Sequence, residues 1–139
     1  MIKRILVVDD EPSIRESLAR HFRLGGIEAE TASDGLDALE KLSRTPFRVI
    51  VSDILMPRMD GIELLRRVRQ EYPMTRTIMI TGYVTLDNAL ACLRLGADTC
   101  VFKPIQNLSE LDEAVDSAFR HHERWEGKLM ELRGLKEAN

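Results

Sequence analysis

The chain alternates short apolar runs with amphipathic stretches. Residues 5–8, Ile-Leu-Val-Val, are continuously apolar, the mark of a strand buried on both faces. The run stops at Asp9-Asp10-Glu11. Pro12 suits the first position of a helix, where its missing N–H costs nothing. Ile14, Leu18, Ala19 and Phe22 then recur at helical spacing until Gly25-Gly26. Residues 27–32 predict a weaker strand of mixed polarity near a sheet edge. Ser33-Asp34-Gly35 forms a turn or cap, and Leu36, Leu39 and Leu42 mark a second helix closed by Pro46. Residues 49–52 predict a third strand. Residues 61–71 predict a helix with Ile62, Leu65 and Val68 on one side, ended by Tyr72-Pro73. A fourth strand over residues 77–81 stops at Gly82. Leu86, Ala89, Leu90 and Leu93 mark the next helix, closed by Gly96. A short fifth strand, residues 99–102, ends at Lys103-Pro104. Ser109 with Asp112 three residues on reads as a capping box that starts a fifth helix.

Strand and helix thus alternate five times with short connections. This predicts a five-stranded parallel sheet with helices on both faces. Right-handed crossovers leave few topologies. The order 2-1-3-4-5, doubly wound and flavodoxin-like, makes the first, third, fourth and fifth strands neighbours, with the switch point between strands one and three.

The fifth helix is expected to outrun the domain. Leu108, Leu111, Val115, Ala118, His122, Trp125, Leu129 and Leu132 alternate at spacings of three and four, a heptad seam. A helix from Ser109 to Leu135 would run about 40 Å, longer than a small domain is wide. The expected organisation is one domain over residues 1–121 and a helical, coiled-coil extension over residues 122–139. The extension's apolar stripe needs a cover, most simply the same helix of a second copy, giving a homodimer. Gly127 and Gly134 count against it at about 1 kcal/mol each, as does His122 in the seam. The alternative is a solvated tail.

With 139 residues and 44% hydrophobic content, the chain suffices for one domain with a proper core. Its net charge of -3 and pI of about 5.7 argue against a nucleic-acid module. No apolar run reaches the roughly 18 residues of a membrane helix, and Met1-Ile2-Lys3-Arg4 does not open a signal peptide. Cys92 and Cys100 show neither a disulfide framework nor metal spacing. A cytoplasmic, reduced protein without membrane or nucleic-acid contacts is expected. His21, His121 and His122 read as ordinary surface or seam residues.

The chemistry gathers at the strand ends. The first strand ends on Asp9 and Asp10, the third on Asp53, the fourth on Thr81 and the fifth on Lys103. In a parallel sheet these ends lie on one side, where open α/β sheets bind ligands. Three carboxylates there repel one another by roughly 3 kcal/mol per pair at about 5 Å and an effective dielectric near 20. Lys103 supplies one compensating charge, and a divalent cation would supply the rest. Hard oxygen ligands with open positions for water and phosphate suit Mg²⁺.

These residues resemble the receiver domain of two-component response regulators, the CheY-like family. The resemblance rests on Asp9-Asp10-Glu11, on Asp53 followed by Met56-Pro57 and Asp60-Gly61, and on Thr81-Gly82, Gly96-Ala97-Asp98 and Lys103-Pro104. It runs from about Ile5 to about His121. It implies that Asp53 accepts a phosphoryl group from a sensor histidine kinase. It implies Mg²⁺ held by Asp10 and Asp53 through side-chain oxygens, by Leu55 through its backbone carbonyl, and by Asp9 through water. Lys103 would pair with a phosphoryl oxygen, Thr81 would swing its hydroxyl onto the phosphate next to Gly82, and Pro104 would follow a cis bond. The added charge would switch a protein-binding surface read by a downstream effector. The domain would catalyse only its own phosphorylation and dephosphorylation.

One position departs from the family. An aromatic residue usually stands three before the lysine, and here it is Cys100, too small to report a rotation. Cys100 reads as a small buried residue, with Tyr83 taking over part of the task. Leu55 and Tyr83 would flank the phosphoryl group, and neither orients a water, which predicts slow self-dephosphorylation. Two alternatives stand beside the receiver reading. An aspartyl-phosphate hydrolase of haloacid-dehalogenase type needs an acid where Leu55 stands. A flavodoxin-like ligand binder needs a glycine-rich loop where Asp9-Asp10-Glu11 stands.

Overall fold

Five parallel strands and five helices alternate along the chain: β1 (Arg4–Val8), α1 (Pro12–Leu24), β2 (Glu28–Ala32), α2 (Gly35–Arg44), β3 (Val49–Asp53), α3 (Gly61–Glu71), β4 (Arg76–Thr81), α4 (Leu86–Arg94), β5 (Thr99–Phe102) and α5 (Ser109–Ala138). The computed structural model describes residues 2–82 and 85–138. The strands pair in the expected order β2-β1-β3-β4-β5. β1 pairs with β3 from Ile5↔Val49 to Val8↔Ser52, so Asp9 and Asp53 leave adjacent strands at one level.

The continuous apolar runs have a physical reason. Ile5 and Val7 of β1, Val49 and Val51 of β3, and Ile78 and Ile80 of β4 pack on one face against Leu18, Ala19 and Phe22 of α1 and Leu111, Val115, Ala118 and Phe119 of α5. Leu6, Val8 and Ile50 point to the other face, against Ala38 and Leu42 of α2 and Leu64 and Val68 of α3. A strand covered on both sides keeps few polar positions. β2, with Glu28 exposed and Thr31 half-buried, is an edge strand.

Local chemistry starts the helices. Asp34, Asp60 and Thr85 accept the backbone N–H three residues on and cap α2, α3 and α4. Pro12 opens α1 without a side-chain cap. Three expectations are corrected. Ser109 does not cap α5: it already lies in the helix, and its N–H donates to Asn107 Oδ1 at 2.9 Å. An asparagine two residues back satisfies that donor, and the Asp112 carboxylate instead meets His21 Nε2 at 2.7 Å. On α4, Leu86 and Leu93 are exposed and only Cys92 is buried. That nine-residue helix covers a four-residue edge strand, so little sheet is left to receive a second apolar row. On α2 the inward face runs through Ala38 and Leu42, and Leu36 is exposed.

α5 divides in two. Leu111, Val115, Ala118 and Phe119 are fully buried and His122 is 7% exposed. Glu123 and Glu126 lie 4.0 and 3.9 Å from the Arg48 guanidinium. Along the same seam Trp125, Leu129 and Leu132 are exposed. Among the described residues no helix is long and apolar enough to cross a membrane.

Candidate functional site

The carboxyl edge of the sheet brings the predicted residues together. Asp9 follows β1, Asp53 closes β3, Thr81 closes β4 and Lys103 follows β5. The Lys103 ammonium donates to Asp9 Oδ2 at 2.9 Å and Asp53 Oδ2 at 3.0 Å, and lies 3.8 Å from Glu11 Oε1. Asp9 is fully buried, Asp53 is 6% exposed and Asp10 is exposed. One carboxylate oxygen from each of Asp9, Asp10 and Asp53 lies within 4.8 Å of the others.

Burial raises the Asp53 carboxyl above its ordinary value. The Lys103 hydrogen bond and charge oppose this, the nearby Asp9 adds to it, and burial wins. Lys103 is pulled the other way: burial favours its neutral form, but Asp9 and Asp53 together hold the ammonium above its usual value. One ammonium therefore faces three acids, and a single positive charge cannot balance them. The donor set is all hard oxygen, and exposed Asp10 leaves one side open to solvent. Such a set fits Mg²⁺ or a similar divalent ion and does not suit a soft metal.

Backbone contacts hold the acids in place. Asp9 Oδ1 accepts the Glu11 N–H at 2.9 Å, and Arg15 Nη1 donates to the Asp9 carbonyl at 2.8 Å. Asp53 Oδ1 accepts the Ile54 N–H at 2.7 Å, and Ser52 Oγ donates to the Asp53 carbonyl at 2.9 Å. Gly61 is required by close approach: a Cβ there would stand 2.0 Å from the Asp53 carbonyl oxygen. The Gly61 N–H donates to the Ile54 carbonyl at 2.7 Å.

Thr81 is buried, and its carbonyl accepts the Lys103 N–H at 2.8 Å. Gly82 lies beside Lys103 and is exposed; a Cβ there would meet the Lys103 side chain at an ordinary 3.6 Å. The Lys103–Pro104 peptide is cis. Leu55 is about half exposed, apolar, two residues beyond Asp53. It brings no acid there, as a haloacid-dehalogenase site would need. Tyr83 lies outside the described residues. Cys100 is half-buried and packs with Cys92; burial, then Cys92, pushes its thiol up to about 11, so it stays protonated and unreactive.

Arg15 and the Gly61–Asp53 contact could not be read from the sequence. Asp60-Gly61 is visible as a motif, but nothing in it reveals which backbone atom presses on the glycine. Arg15 stands one turn into α1, and only the fold turns it back onto Asp9.

A model of the response regulator receiver domain matches residues 5–116. The chain is 39% identical over 119 residues to the regulatory protein AtoC of Escherichia coli K12, covering 86% of this chain and 26% of AtoC. It is 39% identical over 101 residues to the sensor histidine kinase RcsC of Salmonella typhimurium, covering 73% of this chain and 11% of RcsC. It therefore spans about a quarter or less of these relatives. Among solved structures, the response regulator protein TrrA of Thermotoga maritima, in complex with Mg(2+)-BeF, matches with a TM-score of 0.76 at 36% identity, covering 84% of this chain and 99% of that one.

Proposed function

The chain belongs to the response regulator receiver domain family, and from that premise we propose that it is the phosphoacceptor of a two-component signalling system. The supporting observation is the Lys103 ammonium bridging Asp9 and Asp53 at 2.9 and 3.0 Å, with the Asp10 carboxylate beside them. Asp53 accepts the phosphoryl group from a phosphohistidine on a sensor kinase or phosphotransfer protein. A carboxylate oxygen of Asp53 attacks phosphorus, the P–N bond breaks, and the departing imidazole takes up a proton.

Phosphoryl transfer asks for positioning and charge neutralisation more than for covalent help. Asp10 and Asp53, with the Leu55 carbonyl, would hold Mg²⁺, and Asp9 would act on it through a bound water. When bound, the ion supplies charge neutralisation at the phosphoryl oxygens. Lys103 exchanges its Asp53 contact for a phosphoryl oxygen. The Thr81 hydroxyl and the Gly82 N–H bind further oxygens. Acetyl phosphate with Mg²⁺ tests this: one phosphoryl group should appear on the chain and be absent from Asp53→Asn. Modification that survives Asp53→Asn overturns the reading.

The phosphate is lost slowly, because Leu55 orients no water. A tenfold faster loss in Leu55→Asn, timed after removal of acetyl phosphate, would support this, and equal rates would count against it (about tenfold lies below the usual range for a positioned general base). The output is a contact with a downstream effector, and the setting is cytoplasmic.

The exposed Trp125, Leu129 and Leu132 seam is covered by a second copy. The full chain is then a dimer in solution, and a chain cut after Glu126, which keeps His122 and the Arg48 contacts, is a monomer. Equal oligomeric states for both would refute the pairing.

A further inference from the structure

The loop that joins Asp53 to α3 is braced from α2. Its first residue is tied to the sheet, where the Ile54 N–H donates to the Ile80 carbonyl at 3.2 Å. Its far end is tied to the start of α2. Arg58 Nε donates to Asp34 Oδ2 at 2.6 Å, and the guanidinium forms an ion pair with it, Nη2 lying 2.5 Å from the same oxygen. The Gly35 N–H donates to the Met59 carbonyl at 3.2 Å, and a Cβ on Gly35 would stand 2.6 Å from Met59 Cγ, so the two segments touch.

Asp34 is 4% exposed, and Oδ1 already caps α2 through the Asp37 N–H at 2.9 Å. Its second oxygen is committed to an arginine from the phosphoacceptor loop. Arg58 itself has a φ of 66°, a left-handed conformation that a residue with a Cβ holds only when its surroundings impose it. Immediately before this turn, at the end of β2, the Ala32 carbonyl accepts the Asp9 N–H at 3.2 Å. Residues 32–35 therefore touch the end of β1 directly and the loop after Asp53 through Arg58 and Met59.

We propose that Arg58 is a positioning residue for the divalent-cation site, its ion pair with Asp34 fixing the loop after Asp53 against the turn that follows β2, the strand whose last residue is bonded to Asp9. This rests on the reading of the acid cluster as a Mg²⁺ site. Burial raises the Asp34 carboxyl, but the Asp37 N–H and the Arg58 guanidinium outweigh it and hold Asp34 below its ordinary value, in keeping with a charged partner.

The test uses the full chain and the variants Arg58→Ala, Arg58→Lys and Asp34→Asn. Asparagine keeps the helix cap and removes the charge. Mg²⁺ affinity is measured by titration calorimetry, and thermal unfolding is followed separately in EDTA. Arg58→Ala should weaken Mg²⁺ about tenfold, the scale on which groups supporting metal ligands act. Arg58→Lys should recover part of the loss, and Asp34→Asn combined with Arg58→Ala should be no worse than either alone. An Arg58→Ala chain that melts earlier in EDTA yet binds Mg²⁺ as wild type does would overturn the proposal. Wild type that binds no Mg²⁺ would instead remove the cation-site reading on which it stands.

Discussion

The two ends of one sheet treat charge in opposite ways. At the amino end, Arg76 meets Asp98 at 2.6 Å, and Arg48 faces Glu123 and Glu126. His122, buried among them, is held below its ordinary value by burial first and then by Arg48, so it stays neutral. At the carboxyl end, Asp9 and Asp53 share one lysine with the Asp10 carboxylate beside them, and Asp53 is raised rather than lowered. A fold can neutralise buried charge when stability is all that matters, and it does so at the amino end. The carboxyl end is left short of positive charge, which costs stability and leaves three carboxylates of a kind that could hold a cation.

The largest test of this contrast removes one cation from each end. Lys103→Met leaves two buried carboxylates facing each other and should cost about 3–5 kcal/mol in EDTA, the usual loss when a buried pair is broken. Arg76→Met leaves one partly solvated acid and should cost about 2 kcal/mol, the worth of a charged hydrogen bond. Urea unfolding measures both. Added Mg²⁺ should restore part of the first loss by binding the folded state and none of the second. Equal restoration would erase the distinction between the ends.

Next in size is a pair of glycines. Gly61→Ala drives a methyl into the Asp53 carbonyl oxygen and should cost about 3 kcal/mol, at the upper range for overpacking. Gly127, one residue past Glu126 in α5, has open space where a Cβ would stand, with nothing within 4 Å. Gly127→Ala should stabilise by up to about 1 kcal/mol through helix propensity. If both lower the urea midpoint, the carboxyl end is no more tightly built than the tail.

Acid should then separate the ends by sign. Asp53, raised above 3.8, is better tolerated protonated in the fold than in the unfolded chain. Its burden is present at neutral pH and lifts as pH falls through its folded value toward 3.8. Asp53→Asn should therefore stabilise by about 1 kcal/mol at neutral pH, a typical single-site effect, and the gain should vanish near 3.8. His122, lowered from 6.5, behaves in the opposite sense: its contribution is intact above 6.5 and is lost as pH falls below it. His122→Leu should match wild type above 6.5 and exceed it below. Urea midpoints across that range, taken without divalent ions, read both.

What the sequence revealed follows the same division. Asp53 and Lys103 were legible because each ends a run that a buried strand explains, and the charge is the part left unexplained. Five alternations implied a parallel sheet, and the order 2-1-3-4-5 is the one that makes the strands ending on Asp9, Asp53, Thr81 and Lys103 neighbours. The inward or outward sense of Leu86 and Leu93 was not legible, since helical spacing defines a stripe but not which way it faces on a short helix over an edge strand. Asp112 stood at capping distance from Ser109, yet His21 from another helix claimed its carboxylate. The Arg58–Asp34 pair and the Gly61 contact join segments that no local pattern brings together.

The smallest expected effect is the sharpest on roles at the carboxyl end. Gly82 sits beside Lys103 without a positive φ, and a Cβ there would make only ordinary contact with the Lys103 side chain at 3.6 Å. Gly82→Ala should therefore change stability by less than about 0.5 kcal/mol, as surface substitutions usually do. If Gly82 contributes only its backbone N–H to phosphoryl binding, acetyl-phosphate labelling should also stay near the wild-type rate, since alanine keeps that donor. Gly82→Pro removes the N–H and should slow labelling while leaving Mg²⁺ affinity intact, because no carboxylate is touched. Labelling that fails in Gly82→Ala as well would mean that space beside Lys103, rather than the donor, is what this position provides.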